Sequence, residues 1–207
     1  MALPRITSPH ATGSNRTQQV MLQVLLATVP GVLALTWQFG FGTLINLVWA
    51  SACALGFEAA ILALRQRPLG FYLKDYSALV TAVLLALALP PYSPWWLTLV
   101  ASGFAIVFGK QLYGGLGQNP FNPAMIGYVV VLISFPVAMT SWPAPHAVGL
   151  LDGLQHILGL GSLPDGWSQA TALDALKINK SLTIDELWAQ NPAFGHFGGA
   201  AIEAVNL

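Results

Sequence analysis

The chain has 207 residues, 55% of them hydrophobic and only 8% charged, with a formal net charge of zero. Soluble domains carry about 25% charged residues, so this composition cannot build a water-facing surface, and most of the chain must face lipid or other membrane helices. Zero net charge, with no basic run interleaved with aromatics, argues against a nucleic-acid binder. The single cysteine, Cys53, supplies neither an internal disulfide nor the roughly four ligands of an iron–sulfur cluster, and reads as a small core residue.

In chain order, residues 1–19 are polar and lack the charged-then-apolar order of a signal peptide, which makes them a terminal segment outside the bilayer. A transmembrane helical domain is expected over residues 20–142, built from five apolar runs: Val20–Trp37, Leu44–Leu64, Tyr76–Pro90, Trp95–Tyr113 and Ala124–Trp142. A helix needs about 20 residues to cross roughly 30 Å of hydrocarbon, so the third run is short and reads as a tilted or interrupted span. Trp95, Trp96 and Trp142 cluster at span ends, as an interfacial aromatic belt does. Gln23, Asn46 and Thr81 read as helix–helix hydrogen-bonding groups. His10, His146, His156 and His196 have no partner at metal-ligand spacing and read as surface or loop residues, so no metal site is expected.

The cations orient the domain. With five spans Arg5, Arg16, Arg65, Arg67, Lys74 and Lys110 all fall on one side, while the opposite connections, near Gln38–Gly42 and Pro91–Pro94, carry no Lys or Arg. The positive-inside rule then puts the N-terminus in the cytoplasm and the segment after Trp142 on the other face. Residues 143–195 become a long extracytoplasmic loop. Residues 196–207 turn apolar again and read as the start of a further span, as though the chain were a portion of a longer protein.

Three stretches carry candidate chemistry. The string "YGGLGQNPFNPAMIGY", residues 113–128, breaks the fourth span at Gly114, Gly115 and Gly117. Asn122 is placed to cap the fifth helix, with Pro123 at its first position. The positive end of that helix then points into the break. Gly115, Gly117, Asn119 and Asn122 are therefore either a broken-helix ligand site or ordinary turn punctuation. With no Lys-Ser/Thr ending, the string is not a nucleotide-binding P-loop. Glu58 lies inside the second span, where a charged carboxylate costs about 2.5–3.5 kcal/mol on insertion scales. It is either an ion-coupling group or a hydrogen-bonded structural acid. "DGWSQAT", residues 165–171, taken alone reads as a loop with a threonine that caps the following "ALDALK".

The strings "GGLGQNPFNPAMIGY" and "ISFPVAMTSW" resemble the D subunits of Rnf electron-transport complexes, which are related to the B subunit of the sodium-translocating NADH:quinone oxidoreductase. The resemblance runs from about Val20 to the end of the chain. It implies an all-α, polytopic membrane bundle of the bacterial inner membrane. That bundle would be a subunit of a complex that passes electrons between ferredoxin and NAD and drives sodium ions or protons across the bilayer.

The resemblance further implies FMN joined through a phosphoester to Thr171 on the periplasmic side, attached by a flavin transferase that recognises Asp165, Ser168 and Ala170. Gln169 departs from the glycine that is commoner at its position. A riboflavin held without a covalent bond is implied as well, without assigned residues; the broken helix is its candidate. The implied partners are the other subunits of the complex, including a second covalent-FMN subunit and iron–sulfur subunits. Two rival readings use the same features: a channel or transporter subunit without redox chemistry, and a structural anchor for redox partners.

Overall fold

A computed structural model describes residues 17–115, 117–143 and 148–161, together with Lys177, Thr183 and Glu186. Among these residues the regular structure is helical. Two long helices, α1 (Thr17–Phe39) and α2 (Gly42–Leu64), have the length and apolarity to cross a membrane unaided. Pro30 sits inside α1 without ending it.

The third pass is bent. A short helix α3 (Leu69–Tyr72) runs into a 3-10 turn (Leu73–Asp75), and α4 (Ser77–Ala88) leaves it at 45°. The bend is made at Tyr76, whose backbone is left-handed, with φ +60°. That conformation cannot continue a right-handed helix. Taken together, the two arms count as a third possible crossing, so the short third run of the sequence is an interrupted span.

The fourth pass begins as α5 (Trp95–Gly103) and continues without a break as a π-helix over Phe104–Gln111. The fifth is α6 (Pro123–Ser134) followed by the single turn of α7 (Pro136–Thr140). Pro136 has no N–H to extend the α6 ladder, and Phe135 turns out of helical geometry just before it. Asn122 caps α6 as its position suggests: its Oδ1 accepts from the Ala124 backbone N–H at 3.0 Å, with Pro123 first in the helix.

Contacts at the two ends of the bundle establish that the five passes alternate in direction. At one end the close of α2, the start of α4, the π-helix and the start of α6 meet around Glu58, Ser77, Lys110 and Pro123. At the other, Asn46 near the start of α2 reaches over the α4–α5 connection, donating to the carbonyls of Pro90 and Pro91 at 2.9 Å each. Trp142 lies against Phe39, with ring centroids 5.6 Å apart, and Trp96 meets Phe135 edge-on. The Tyr92 hydroxyl donates to the Phe39 carbonyl at 2.9 Å, and its ring fills the space left by Gly42 and Gly153. Gly153 belongs to the amphipathic helix α8 (Leu150–Ile157), which this contact ties to that same end.

Polarity is distributed the opposite way from a water-soluble fold. Trp37, Val48, Leu64, Ile133 and Val137 are exposed, while Thr43, Asn46, Glu58, Thr98, Ser102, Lys110 and Gln111 are buried. Large apolar side chains turned outward, with polar groups withdrawn among an apolar core that includes Leu85, Leu97, Ile106 and Val131, are the arrangement lipid demands. Cys53 is buried, as its place in an apolar run suggests. Thr81 differs from expectation: its hydroxyl donates to the Ser77 carbonyl of its own helix at 3.0 Å rather than to a neighbouring one. Gln23 lies exposed on α1.

Candidate functional site

Glu58 stands on the second-to-last turn of α2, 1% exposed. Its Oε1 accepts from the Lys110 ammonium, forming a buried ion pair, and from Gln111 Nε2 at 2.9 Å. Two adjacent residues thus converge on one oxygen. The π-helix permits this. Its i→i+5 bonds, seen in Leu112 N–H to the Val107 carbonyl at 2.8 Å and Gly115 N–H to the Lys110 carbonyl at 3.1 Å, turn the chain less per residue than an α-helix does. Neighbouring side chains therefore diverge less. Such π segments are rare, and those that occur are frequently at functional sites.

Lys110 also donates to the Ser77 hydroxyl at 2.5 Å, and that hydroxyl donates to Asp75 Oδ1 at 2.5 Å. The same carboxylate oxygen accepts the Ser77 backbone N–H at 2.8 Å, capping the first turn of α4. The other Glu58 oxygen, Oε2, is buried with no partner among the described residues. Lys110 counts by sequence among the cytoplasmic flanking cations. Here it is 2% exposed and turned inward, while Arg65, Arg67 and Lys74 at the same end face out. Position along the helix axis, not exposure, is what the cation pattern reads.

The break after the π-helix is real. Gly114, Gly115 and Gly117 hold φ values of +110°, +109° and +83°, which side-chain-bearing residues rarely adopt. The Asn119 side chain donates to the Phe121 carbonyl at 2.8 Å, so both asparagines of the string are engaged in holding the turn.

Two spaces adjoin the break. A cavity of about 140 Å³ is walled by Ser77, Thr81, Lys110, Asn119 and Asn122. A larger cleft of about 730 Å³ lies between Thr17 and Gln18, the aromatic pair Phe71–Tyr72, Lys74, Asp75, Gly114 and Gly115. Of the sequence-derived candidates, Glu58, Asn119 and Asn122 gather at this end, with Gly115 and Gly117 at its rim. Asp165, Ser168, Ala170 and Thr171 lie outside the described residues, as do Arg5, Arg16, His10, His146, His196 and residues 196–207. His156 lies half-buried in α8.

Sequence reasoning missed Lys110, Ser77 and Asp75. Only the pairing of an intramembrane acid with a cation at matching depth two passes away could have signalled them.

Alternating apolar helices, with large apolar side chains outward and buried polar groups between them, define a polytopic helical membrane protein. Within that class the chain belongs to the NQR2, RnfD, RnfE family, whose profile matches residues 5–207. It is 85% identical over its whole length to the D subunit of the ion-translocating oxidoreductase complex of Ectopseudomonas mendocina (strain ymp). It is 68% identical to the D subunit of the same name from Pseudomonas aeruginosa (strain LESB58), and 45% identical, over 97% of its length, to that of Citrobacter koseri. The chain spans about 60% of the length of these Ectopseudomonas and Pseudomonas relatives.

Proposed function

We propose that this chain is part of a membrane subunit of an ion-translocating oxidoreductase complex, and that it relays electrons through FMN esterified to Thr171. The observation that carries the reading is the run from Asp165 to Thr171 in a chain of this family. Two further features support it. Arg65, Arg67, Lys74 and Lys110 occupy one end of the bundle, which the positive-inside rule makes cytoplasmic in the bacterial inner membrane. The chain that follows the fifth pass packs at the opposite end, with α8 against Tyr92. We accordingly assign Thr171, further along the chain, to that side.

The acceptor chemistry fits. Thr171 offers one hydroxyl between the small residues Ala170 and Ala172. In the attachment reaction its oxygen bonds to the FMN phosphorus of FAD, the phosphoanhydride bond breaks, AMP leaves and the hydroxyl proton is lost. The bound group supplies the electron-transfer chemistry. The tether replaces binding affinity with a fixed local concentration, which matters on a face open to bulk water.

For a second, non-covalent flavin the 140 Å³ cavity is too small, since ligand sites run from about 300 to 1,000 Å³. The larger cleft has the volume, a glycine floor at Gly114 and Gly115, and Phe71 and Tyr72 to stack on. Glu58 is proposed as the carboxylate that couples electron flow to movement of sodium ions or protons. The partners follow from the same reading: the other subunits of the complex, including iron–sulfur and second flavin subunits, and a flavin transferase for maturation.

The experiment is a denaturing gel of the subunit from cells that contain the transferase and the whole complex, viewed under ultraviolet light. A fluorescent band that vanishes in Thr171→Ala is expected. A dark wild-type band would favour a channel or an anchor. Glu58→Gln with undiminished ion pumping would remove the coupling role and leave the flavin standing.

A further inference from the structure

We infer that Asp75, Ser77 and Lys110 form a hydrogen-bonded route that carries protons between the cation-bearing end of the bundle and the buried carboxylate of Glu58. Its use in coupling rests on the reading of Glu58 given above; its chemistry does not.

The route is continuous. Asp75 Oδ1 accepts from the Ser77 hydroxyl at 2.5 Å, that hydroxyl oxygen accepts from Lys110 Nζ at 2.5 Å, and Lys110 Nζ donates to Glu58 Oε1. It also runs from wet to dry. Asp75 is half-buried and lines the cleft of about 730 Å³. Ser77, Lys110 and Glu58 are 4%, 2% and 1% exposed. Four elements contribute: the 3-10 turn, α4, the π-helix and α2. The Asp75–Ser77 link is local, but those through Lys110 join separate helices and no local fold explains them. At the inner end, Glu58 Oε2 is a buried carboxylate oxygen without a partner among the described residues. Left so, it costs free energy that a bound proton on that carboxyl reduces.

The transfer balances. Lys110 first releases one of its protons to Glu58; the Ser77 hydroxyl, rotated from Asp75 to the amine lone pair this opens, then passes its own proton to Lys110 Nζ. Asp75, protonated from the cleft, gives its proton to the Ser77 oxygen. Two O–H bonds and one N–H bond break and the same number form; no electrons change hands. Ser77 remains a hydroxyl and Lys110 an ammonium. Glu58 becomes a neutral acid and Asp75 a carboxylate. The counter-ion of Lys110 thereby changes from Glu58 to Asp75, so the buried ammonium keeps one negative partner in both states. Asp75 and Lys110 are the charged groups that bear on Glu58, and the neighbouring Lys74 is exposed.

Time-resolved infrared spectroscopy after a pH drop, on the full-length subunit in its complex, tests this. The carboxylic C=O band lost in Glu58→Gln reports Glu58. Ser77→Ala is expected to slow the appearance of that band about 100-fold, the low end of what a positioned proton-transfer group contributes. Asp75→Asn should slow it similarly, and Ser77→Thr, which keeps the hydroxyl, should restore the wild-type rate. Unchanged rates in both Ser77→Ala and Asp75→Asn would overturn the route, as would a wild-type Glu58 band that never appears on acidification. A slowed band alongside ion pumping that survives Glu58→Gln would leave the route standing and remove only its coupling role.

Discussion

Lys110 illustrates how a single residue can be read correctly for one purpose and incompletely for another. As a flanking cation it marks one end of the bundle; as a side chain it is the buried partner of Glu58. Removing one member of a buried ion pair strands the other charge, at about 3–5 kcal/mol. Lys110→Met is therefore expected to lower the unfolding free energy in detergent by about that much, and Glu58→Gln added to it should recover most of the loss. Additive losses in that double-mutant cycle would mean the two side chains do not support each other. Asn46 makes a second case. Its amide serves the Pro90 and Pro91 carbonyls, so Asn46→Leu leaves buried acceptors unpaired and should cost about 1–3 kcal/mol for each, measured the same way. The acid in an apolar run, the buried cysteine and the asparagine cap of α6 were legible because each is a local signal. The partner of Glu58 was not, because it lies 52 residues away along the chain.

At the scale of elements, each of the five apolar runs is helical; two are long enough to cross a membrane and the bent pair counts as a third, so the short third run foretold an interruption. Nothing in the sequence marked the π-helix, since its i→i+5 bonding is chosen by what Lys110, Gln111 and Gly109 must meet across the bundle. Gly109 lies against Pro123, and Gly127 of α6 lies so close to the Ala101 carbonyl of α5 that a Cβ there has no room. Close backbone approach over small residues is how membrane helices pack. Gly127→Val should force α5 and α6 apart and cost about 1–3 kcal/mol, the usual penalty of overpacking, read by thermal unfolding in detergent. An unchanged unfolding temperature would mean that the crossing is looser than described.

Another local device lies at Thr183 and Glu186. The Thr183 backbone N–H and hydroxyl donate to Glu186 Oε2 at 3.0 and 2.9 Å. These bonds hold the carboxyl below its ordinary value of 4.5. The interaction is thus intact above that value and lost as pH falls through the lowered one. Hydrogen exchange at the Thr183 amide should quicken only in that acid range; an amide equally exposed at neutral pH would contradict the pairing. The Thr-x-x-Glu spacing is a helix-start pattern that the sequence reading passed over.

For the whole molecule, composition foretold the class, because a chain with 8% charged residues has few ways to fold. The structure adds the alternation of the helices and a buried charged cluster at the cation-bearing end of a mostly apolar core. What composition cannot specify is which polar groups meet, and that depends on helix rotation and register. Which faces of the membrane the two ends occupy decides whether Thr171 can meet an exterior partner. Cysteine labelling in intact cells with a membrane-impermeant thiol reagent measures this directly, since the native Cys53 is buried. Thr171→Cys should label from outside and Arg67→Cys only after the inner membrane is opened. Labelling in the reverse order would contradict the account.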